Sequence, residues 1–204
     1  IPNQFALLPV NWWNRLLFPI MSNDRDKVIA FGGRKTTVDD RAKYVNSPNG
    51  PTYKKSESLY GYNLVPEDAE RVYLCEGYID VLSMDSSGFA YPVASLGTAL
   101  TADQALLLRK KAQQVVICYD SDEAGQRAAD KAFKLLGEVG LDVKILKMNG
   151  AKDPDEFIKK YGSERFRRLL DESKTHFDFK FEAILAKYDV SQTPEKLKAV
   201  NDIA

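Results

Sequence analysis

The chain has 204 residues, 44% hydrophobic and 11% aromatic, enough for one large or two small packed domains and too much for a disordered chain. Its 29 Lys and Arg balance 29 Asp and Glu, so net charge makes no simple case for nucleic-acid binding. No apolar run is long enough to cross a bilayer, the N-terminus lacks a basic–apolar–small leader pattern, and Cys75, Cys118 and His176 are too few for a four-ligand zinc site.

The two cysteines each end a predicted strand and read as reduced core thiols of a cytosolic protein. Charge is spread unevenly. Residues 1–63 carry nine basic against five acidic side chains, residues 64–160 twelve against sixteen, and residues 161–204 eight of each. A basic first section beside an acidic middle suits a polyanion on one side and a metal on the other. Ordinary surface scatter gives differences of the same size.

Residues 1–11 show no period, which fits a chain that begins inside a larger domain. Residues 15–20 read as a strand with Pro19 at an edge or bulge, residues 23–26 as a turn, and residues 28–31 as the returning strand of a hairpin. Gly32 and Gly33 allow a bend or a close approach ahead of Arg34. Lys43-Tyr44-Val45-Asn46-Ser47-Pro48 and Tyr53-Lys54-Lys55 set cations among aromatics and amides. That mixture suits phosphate and base contacts, and equally a charged loop beside a small sheet.

From Arg71 strand and helix alternate. Residues 72–75 are a strand. Residues 78–86 are a helix with Ile79, Leu82 and Ser83 facing inward, stopped near Gly88. Residues 91–95 are a second strand, and Thr101 with Gln104 forms a capping-box pattern ahead of Leu106, Leu107 and Leu108. An apolar run, Val115-Val116-Ile117-Cys118, then leads into Tyr119-Asp120-Ser121-Asp122. It reads as a strand buried on both faces and ending at Asp120. Residues 123–137 are a helix with Ala128, Ala132, Phe133, Leu135 and Leu136 on its apolar face, and residues 142–148 are a fourth strand. The alternation implies a parallel sheet covered by helices. Asp153-Pro154-Asp155-Glu156 has the composition of a helix start, with Asp153 as cap. Residues 163–187 read as a continuous amphipathic helix with Phe166, Leu169, Leu170, Phe177, Phe181, Ile184 and Leu185 toward a core, and Thr193-Pro194-Glu195 as another helix start.

The acids carry the chemistry. Strands of a parallel sheet point one way, so Glu76, the Asp120/Asp122 pair and Asp153 with Asp155 fall at one edge, where open α/β sheets bind ligands. Asp80 lies one helical turn beyond Glu76. On an extended backbone Asp120 and Asp122 point the same way. Crowded carboxylates repel unless a cation sits among them, and a hard divalent ion with oxygen ligands, magnesium, suits the set. Two such ions would suit displacement at phosphorus. Singly, Asp122 also reads as a helix cap, Asp80 as part of a solvated face and Asp153 as a cap alone.

At these residues a family resemblance appears. Glu76-Gly77-Tyr78-Ile79-Asp80-Val81, Ala94-Ser95-Leu96-Gly97-Thr98-Ala99-Leu100-Thr101, Tyr119-Asp120-Ser121-Asp122-Glu123-Ala124-Gly125 and Lys152-Asp153-Pro154-Asp155-Glu156 resemble the Toprim segment of bacterial DnaG-type DNA primases. Upstream, Phe18-Pro19-Ile20, Phe31-Gly32-Gly33-Arg34, the Lys43 to Pro48 stretch and Lys55 ahead of Leu59-Tyr60-Gly61 resemble the same family. A glutamate with Asp-x-Asp is shared with topoisomerases and some nucleases. The upstream pieces narrow it.

The resemblance implies a Toprim-type α/β fold, with a small basic α+β subdomain at 1–66, the Toprim domain at 67–160 and a helical segment at 161–204. It implies a DNA-dependent RNA polymerase making short primers on single-stranded DNA from nucleoside triphosphates. Magnesium would be the cofactor, with manganese able to substitute and no zinc in this piece. Glu76, Asp120 and Asp122 would be catalytic, with Asp80, Asp153 and Asp155 joining them around the ions. Arg34, Lys43, Tyr44, Asn46 and Lys55 would handle template and nucleotide phosphates. A replicative helicase would dock on a C-terminal module outside this stretch, in the bacterial cytoplasm at the replication fork, with no membrane involved. The alternatives are a Toprim phosphodiester cleaver and a DNA-binding module without turnover. The family usually carries extra arginines just ahead of Arg15, where this chain has Asn11, Trp12 and Trp13, residues that either stack on a base or pack.

Overall fold

The computed structural model describes residues 12–23, 27–97 and 99–175, together with residues 188 and 198. The chain opens with a three-stranded antiparallel sheet: β1 (Arg15–Met21), β2 (Val28–Lys35) and β3 (Tyr44–Asn46), in that order. In β1 the side chains alternate, burying Phe18 and Ile20 and leaving Leu17 and Pro19 outward. Pro19 is tolerated because β1 is an outer strand with one side unpaired. The hairpin is as expected, but β2 runs on through Gly32 and Gly33 to pair with β3. Close approach, not a bend, is what the glycines provide. A Cβ on Gly32 would lie 2.4 Å from the Tyr78 ring, and one on Gly33 3.0 Å from the Trp12 indole.

A six-stranded sheet follows. Its elements in chain order are β4 (Leu59–Tyr60), β5 (Ala69–Cys75), α1 (Tyr78–Ser86), β6 (Pro92–Ser95), α2 (Ala102–Lys111), β7 (Ala112–Cys118), α3 (Glu123–Glu138), β8 (Asp142–Ile145), α4 (Pro154–Tyr161), α5 (Ser163–Asp171) and β9 (Lys174–Thr175). Spatially the order is β4-β6-β5-β7-β8-β9, with the four middle strands parallel and both edge strands antiparallel. After β5 the chain goes to β6 on one side and then returns past β5 to β7 on the other. The β5/β7 boundary is therefore the topological switch point, where such sheets open a ligand crevice.

Both faces of this sheet are covered, as the apolar strand run predicts. Val115 and Ile117 join Val72, Leu74, Leu108, Ala132 and Leu136 in one core. Val116 and Cys118 join Cys75, Val81, Met84, Phe157, Phe166 and Leu170 in the other. Cys75 and Cys118 are register partners on adjacent strands, and both are buried free thiols. A third core, built on Phe18, Ile20, Ala30, Tyr53, Tyr78 and Leu96, joins the small sheet to the large one. There Tyr78 stacks flat on Phe18 at 4.7 Å and meets Tyr60 edge-on at 4.9 Å.

The capping box of α2 is complete. Thr101 Oγ1 accepts from the Gln104 N–H at 3.2 Å, and Gln104 Oε1 accepts from the Thr101 N–H at 3.1 Å. The Gln104 amide also donates to the carbonyls of Lys55 and Ser58, at 3.0 and 2.8 Å. This fully buried side chain thus ties the 3-10 turn Lys55–Glu57 to the large sheet.

Several expectations are corrected. In α1 the inward residues are Tyr78, Asp80, Val81 and Met84, while Leu82 is 42% exposed; packing against two sheets, rather than the apolar character of each side chain, sets the face. The third strand ends at Cys118 and the fourth at Ile145, since the chain leaves the sheet to form the loops of the crevice. Residues 163–187 are not one helix: α5 ends at Asp171, and β9 turns back to pair with β8. The expected core residues from Phe177 to Leu185, the helix start at Thr193 and the turn residues 24–26 lie outside the described residues. Among the described residues no helix is long and apolar enough to cross a membrane.

Candidate active site

Glu76 follows the last residue of β5, and Asp120 stands two residues beyond β7, on the two sides of the switch point. They touch: the Asp120 N–H donates to Glu76 Oε1 at 3.1 Å. Between Asp120 and Asp122 the backbone bends instead of staying extended. Asp122 becomes the N-cap of α3, accepting from the Gly125 N–H at 2.9 Å. Gly125 is required here, because a Cβ would sit 2.1 Å from the Asp120 carbonyl oxygen. The Asp-Ser-Asp-Glu-Ala-Gly spacing is thus a turn in which the helix start packs directly on the backbone of the first aspartate.

The loop before α4 is fastened to this turn. The Ser121 N–H donates to the Lys152 carbonyl at 2.7 Å, and Ser121 Oγ to the Ala151 carbonyl at 2.8 Å. Lys152 Nζ then lies 3.1 Å from Asp120 Oδ2 and 3.7 Å from Asp122 Oδ2. Asp153 caps α4 through the Glu156 N–H at 2.8 Å, and Pro154 takes the first helical position, as expected. Glu156 reaches back to the Lys152 N–H at 2.9 Å, one residue earlier than a standard capping box. Asp155 pairs with Lys159 at 2.7 Å, and its N–H points at Asp80 Oδ1 from 3.4 Å. Asp80 is buried, not part of a solvated face.

The electrostatics follow from this crowding. Burial, and then the Asp120 charge, push the Glu76 carboxyl up. Burial also raises Asp120, against the opposing pull of Lys152. Asp80 rises to about 7, chiefly through burial and secondarily through Asp153. Asp122 goes the other way, because the Gly125 N–H stabilises its ionised form. The Lys152 ammonium is held charged above its ordinary value by Asp120.

A cavity of about 240 Å³ unites most of these groups: Lys43, Tyr44, Asn46, Glu76, Tyr78, Asp80, Asp120, Lys152 and Asp153 line it, with Gly77 and Gly97. Lys43, Tyr44 and Asn46 thus come from the small sheet to face acids of the large one. Asn46 is fixed by donating to the Leu96 carbonyl at 2.9 Å and accepting from the Tyr78 hydroxyl. Arg34 lies over the Tyr44 ring at 5.9 Å, and Lys43 approaches the same ring at 5.8 Å. Lys55 is not a lining residue; its backbone serves the Gln104 clamp. Trp12 packs against β2, whereas Trp13 is 66% exposed. Arg15 donates to the Ala42 carbonyl at 2.9 Å and Arg41 to the Trp13 carbonyl at 3.1 Å, holding the loop that delivers Lys43.

Among the described residues no three His, Cys, Asp or Glu side chains form a ready metal-ligand group. The donors suit a hard cation nonetheless: they are carboxylate oxygens, and burial and mutual repulsion hold Glu76, Asp80 and Asp120 above their ordinary range. Lys152 spans the pair that would coordinate it. In the sequence Lys152 stands within the Lys152–Glu156 motif but not among the candidate site residues. The signal was a lysine directly before an acidic helix start at the same sheet edge as Asp120.

A Toprim-like family model matches residues 73–158, and a model of the DNA primase catalytic core N-terminal domain matches residues 8–65. The chain is 41% identical to a DNA primase of Clostridium acetobutylicum over 193 residues, 94% of this chain and 32% of that protein. It spans about a third of the length of the curated relatives it matches. Among solved structures, the zinc-binding and RNA polymerase domains of Aquifex aeolicus primase superpose with a TM-score of 0.77 at 37% identity, over 91% of this chain and 45% of that one. The RNA polymerase domain of Mycobacterium tuberculosis primase DnaG, in complex with a double-stranded DNA oligomer with a 6-nucleotide overhang, gives 0.79 at 30% identity, over 93% of this chain and 62% of that one. With two successive core segments matched and the fold shared, the chain belongs to the DnaG-type DNA primases, as a catalytic core with a Toprim domain.

Proposed function

We propose that this chain is part of a DNA-dependent RNA polymerase that lays down short primers on single-stranded DNA. The observation that carries the reading is one cavity in which Glu76, Asp80, Asp120 and Asp153 face Lys43, Tyr44 and Asn46 across the switch point. Anionic ligands and cationic side chains in one crevice suit a triphosphate and its counter-ions. Glu76, Asp120 and Asp122 are the groups to hold magnesium, with Asp80, Asp153 and Asp155 around them. When bound, the metal would supply the charge that activates a 3′-hydroxyl and neutralises the leaving pyrophosphate.

The chain's own residues supply position. Asn46, fixed between Leu96 and Tyr78, offers a rigid polar edge. Lys43 and Arg34 meet phosphates, and the Tyr44 ring between them offers a face for a sugar or base. The division into a basic segment up to about residue 66, a Toprim domain to about 160 and a following segment is supported by the two family models, which meet near residue 70. A replicative helicase as partner and the bacterial cytoplasm as location belong to the same proposal. They rest on the relatives' role as DNA primases.

The test is incorporation of ribonucleotides on a single-stranded DNA template by the full-length protein. Asp120→Ala should abolish it while circular dichroism and melting stay close to the parent. Undiminished synthesis by the folded variant overturns the assignment.

A further inference from the structure

We infer that Lys152 is the resident counter-ion of Asp120 and Asp122, and that a divalent cation reaches these carboxylates only by displacing its ammonium. The inference rests on the metal-binding reading above and adds to it a built-in competitor. The Lys152 backbone is clamped from both sides: its carbonyl accepts from the Ser121 N–H at 2.7 Å, and its N–H donates to Glu156 at 2.9 Å. The neighbouring Ala151 carbonyl accepts from Ser121 Oγ at 2.8 Å. The side chain therefore starts from a fixed point directly across the aspartate turn. Its Nζ spans Oδ2 of both aspartates, at 3.1 and 3.7 Å. An ammonium and a dication seek the same two oxygens.

The ammonium is fit to be displaced. Lys152 is 56% exposed and Asp122 50%, so their pair is well screened and contributes little; Asp120 is 20% exposed, and its pair is open to water from the lysine side. The lysine stem is flexible and its head is readily rehydrated. Anchoring of the backbone keeps the displaced head at the cavity mouth, which Lys152 itself lines alongside Lys43. There its charge stands beside the cavity without a direct role in the reaction. One residue thus neutralises the acids before the metal arrives and adds positive charge beside the substrate afterwards. Lys152 acts on metal through the aspartates and is a positioning residue.

Manganese binding to the full-length protein, followed by calorimetry and by the electron paramagnetic resonance signal of free Mn²⁺, tests this. Lys152→Met should bind Mn²⁺ roughly three- to tenfold tighter than the parent, as expected for removal of two screened pairs. Lys152→Arg should stay within about twofold, since the charge remains. Without metal, Lys152→Met should melt lower than the parent, and Mn²⁺ should close the gap. Lys152→Gln replaces Lys152→Met if that variant does not fold. Equal or weaker Mn²⁺ binding by the neutral variant overturns the inference while leaving the metal site standing. Parent binding that survives Asp120→Asn with Asp122→Asn overturns the metal site and this inference with it. As a direct readout, Mg²⁺ should shift the Lys152 side-chain NMR signal, assigned by its loss in Lys152→Arg. An unmoved signal at saturating Mg²⁺ overturns displacement.

Discussion

Asp80 shows what a single residue costs the fold and why it is tolerated. Its carboxyl is buried and its pKa stands near 7, against about 4 in an unfolded chain. Between those values the folded state holds a proton that the unfolded state has released, so the contribution of Asp80 to stability is greatest below about pH 4 and is lost as pH rises through about 7. Asp80→Asn removes that dependence. It should stabilise the protein at pH 8 in the absence of metal, by up to roughly 4 kcal/mol before relaxation, with little change at pH 4. Urea unfolding at the two pH values, parent against variant, measures it; an equal effect at both would contradict burial as the cause. Asp122 poses a different residue-scale question, because one carboxylate caps α3 and faces Lys152. Asp122→Asn keeps a cap acceptor while losing the charge, and should retain the fold but not primer synthesis. Asp122→Ala should in addition lose about 1 kcal/mol of stability. The capping role was readable from the sequence, since it depends on neighbours three residues away. The metal role proposed for it was not separable from capping there.

At the scale of elements, two junctions hold the site. The first is the β7–α3 turn, in which Gly125 lies against the Asp120 backbone. Gly125→Ala forces backbone apart from backbone. It should cost about 1–3 kcal/mol and move Asp120 away from Glu76, so that denaturant midpoint and primer synthesis fall together. The second is the start of α2. There Gln104 closes its own capping box and holds the 3-10 turn at Lys55 through two carbonyls. Gln104→Ala leaves those buried acceptors short and should cost about 2 kcal/mol. Its capping box was legible as Thr-x-x-Gln, whereas its second pair of hydrogen bonds was not. Their partners lie 46 and 49 residues upstream. The inward face of α1 is hidden from the sequence for the same reason. Leu82 looks like core on a helical wheel, but Tyr78 and Val81 are what the two sheets meet.

For the whole molecule, the relevant property is that Lys43, Tyr44 and Asn46, at the small sheet, face the acids beyond the strand ends of the large sheet across one crevice. Zero net charge conceals it. Single-stranded DNA affinity should fall steeply with salt, and Lys43→Ala should flatten the slope of log K against log[salt] by about 0.7, one phosphate contact's share. Fluorescence anisotropy over a salt titration measures it, and an unchanged slope would remove Lys43 from the phosphate path. The two sheets are locked by the Phe18–Tyr78 stack over Gly32, a flat ring against a bare backbone. That arrangement keeps Lys43, Tyr44 and Asn46 in register with the acids.

By itself the sequence determined the parallel sheet, the helices between its strands, the helix caps and the edge at which Glu76, Asp120, Asp122 and Asp153 stand. Apolar periodicity and capping act over a few residues, and parallel strands with short crossovers leave one edge for all strand ends. Only the tertiary structure decided that Asp80 is buried, that Lys152 bridges the aspartate pair, that Lys55 turns its backbone to α2, and that β9 ends the run after α5. Each of these depends on segments distant in the chain, such as Ser121 on Ala151 thirty residues away and Asp80 on Asp155 seventy-five away. Burial and charge pairing are properties of what arrives next to a side chain in space, and no local pattern records them.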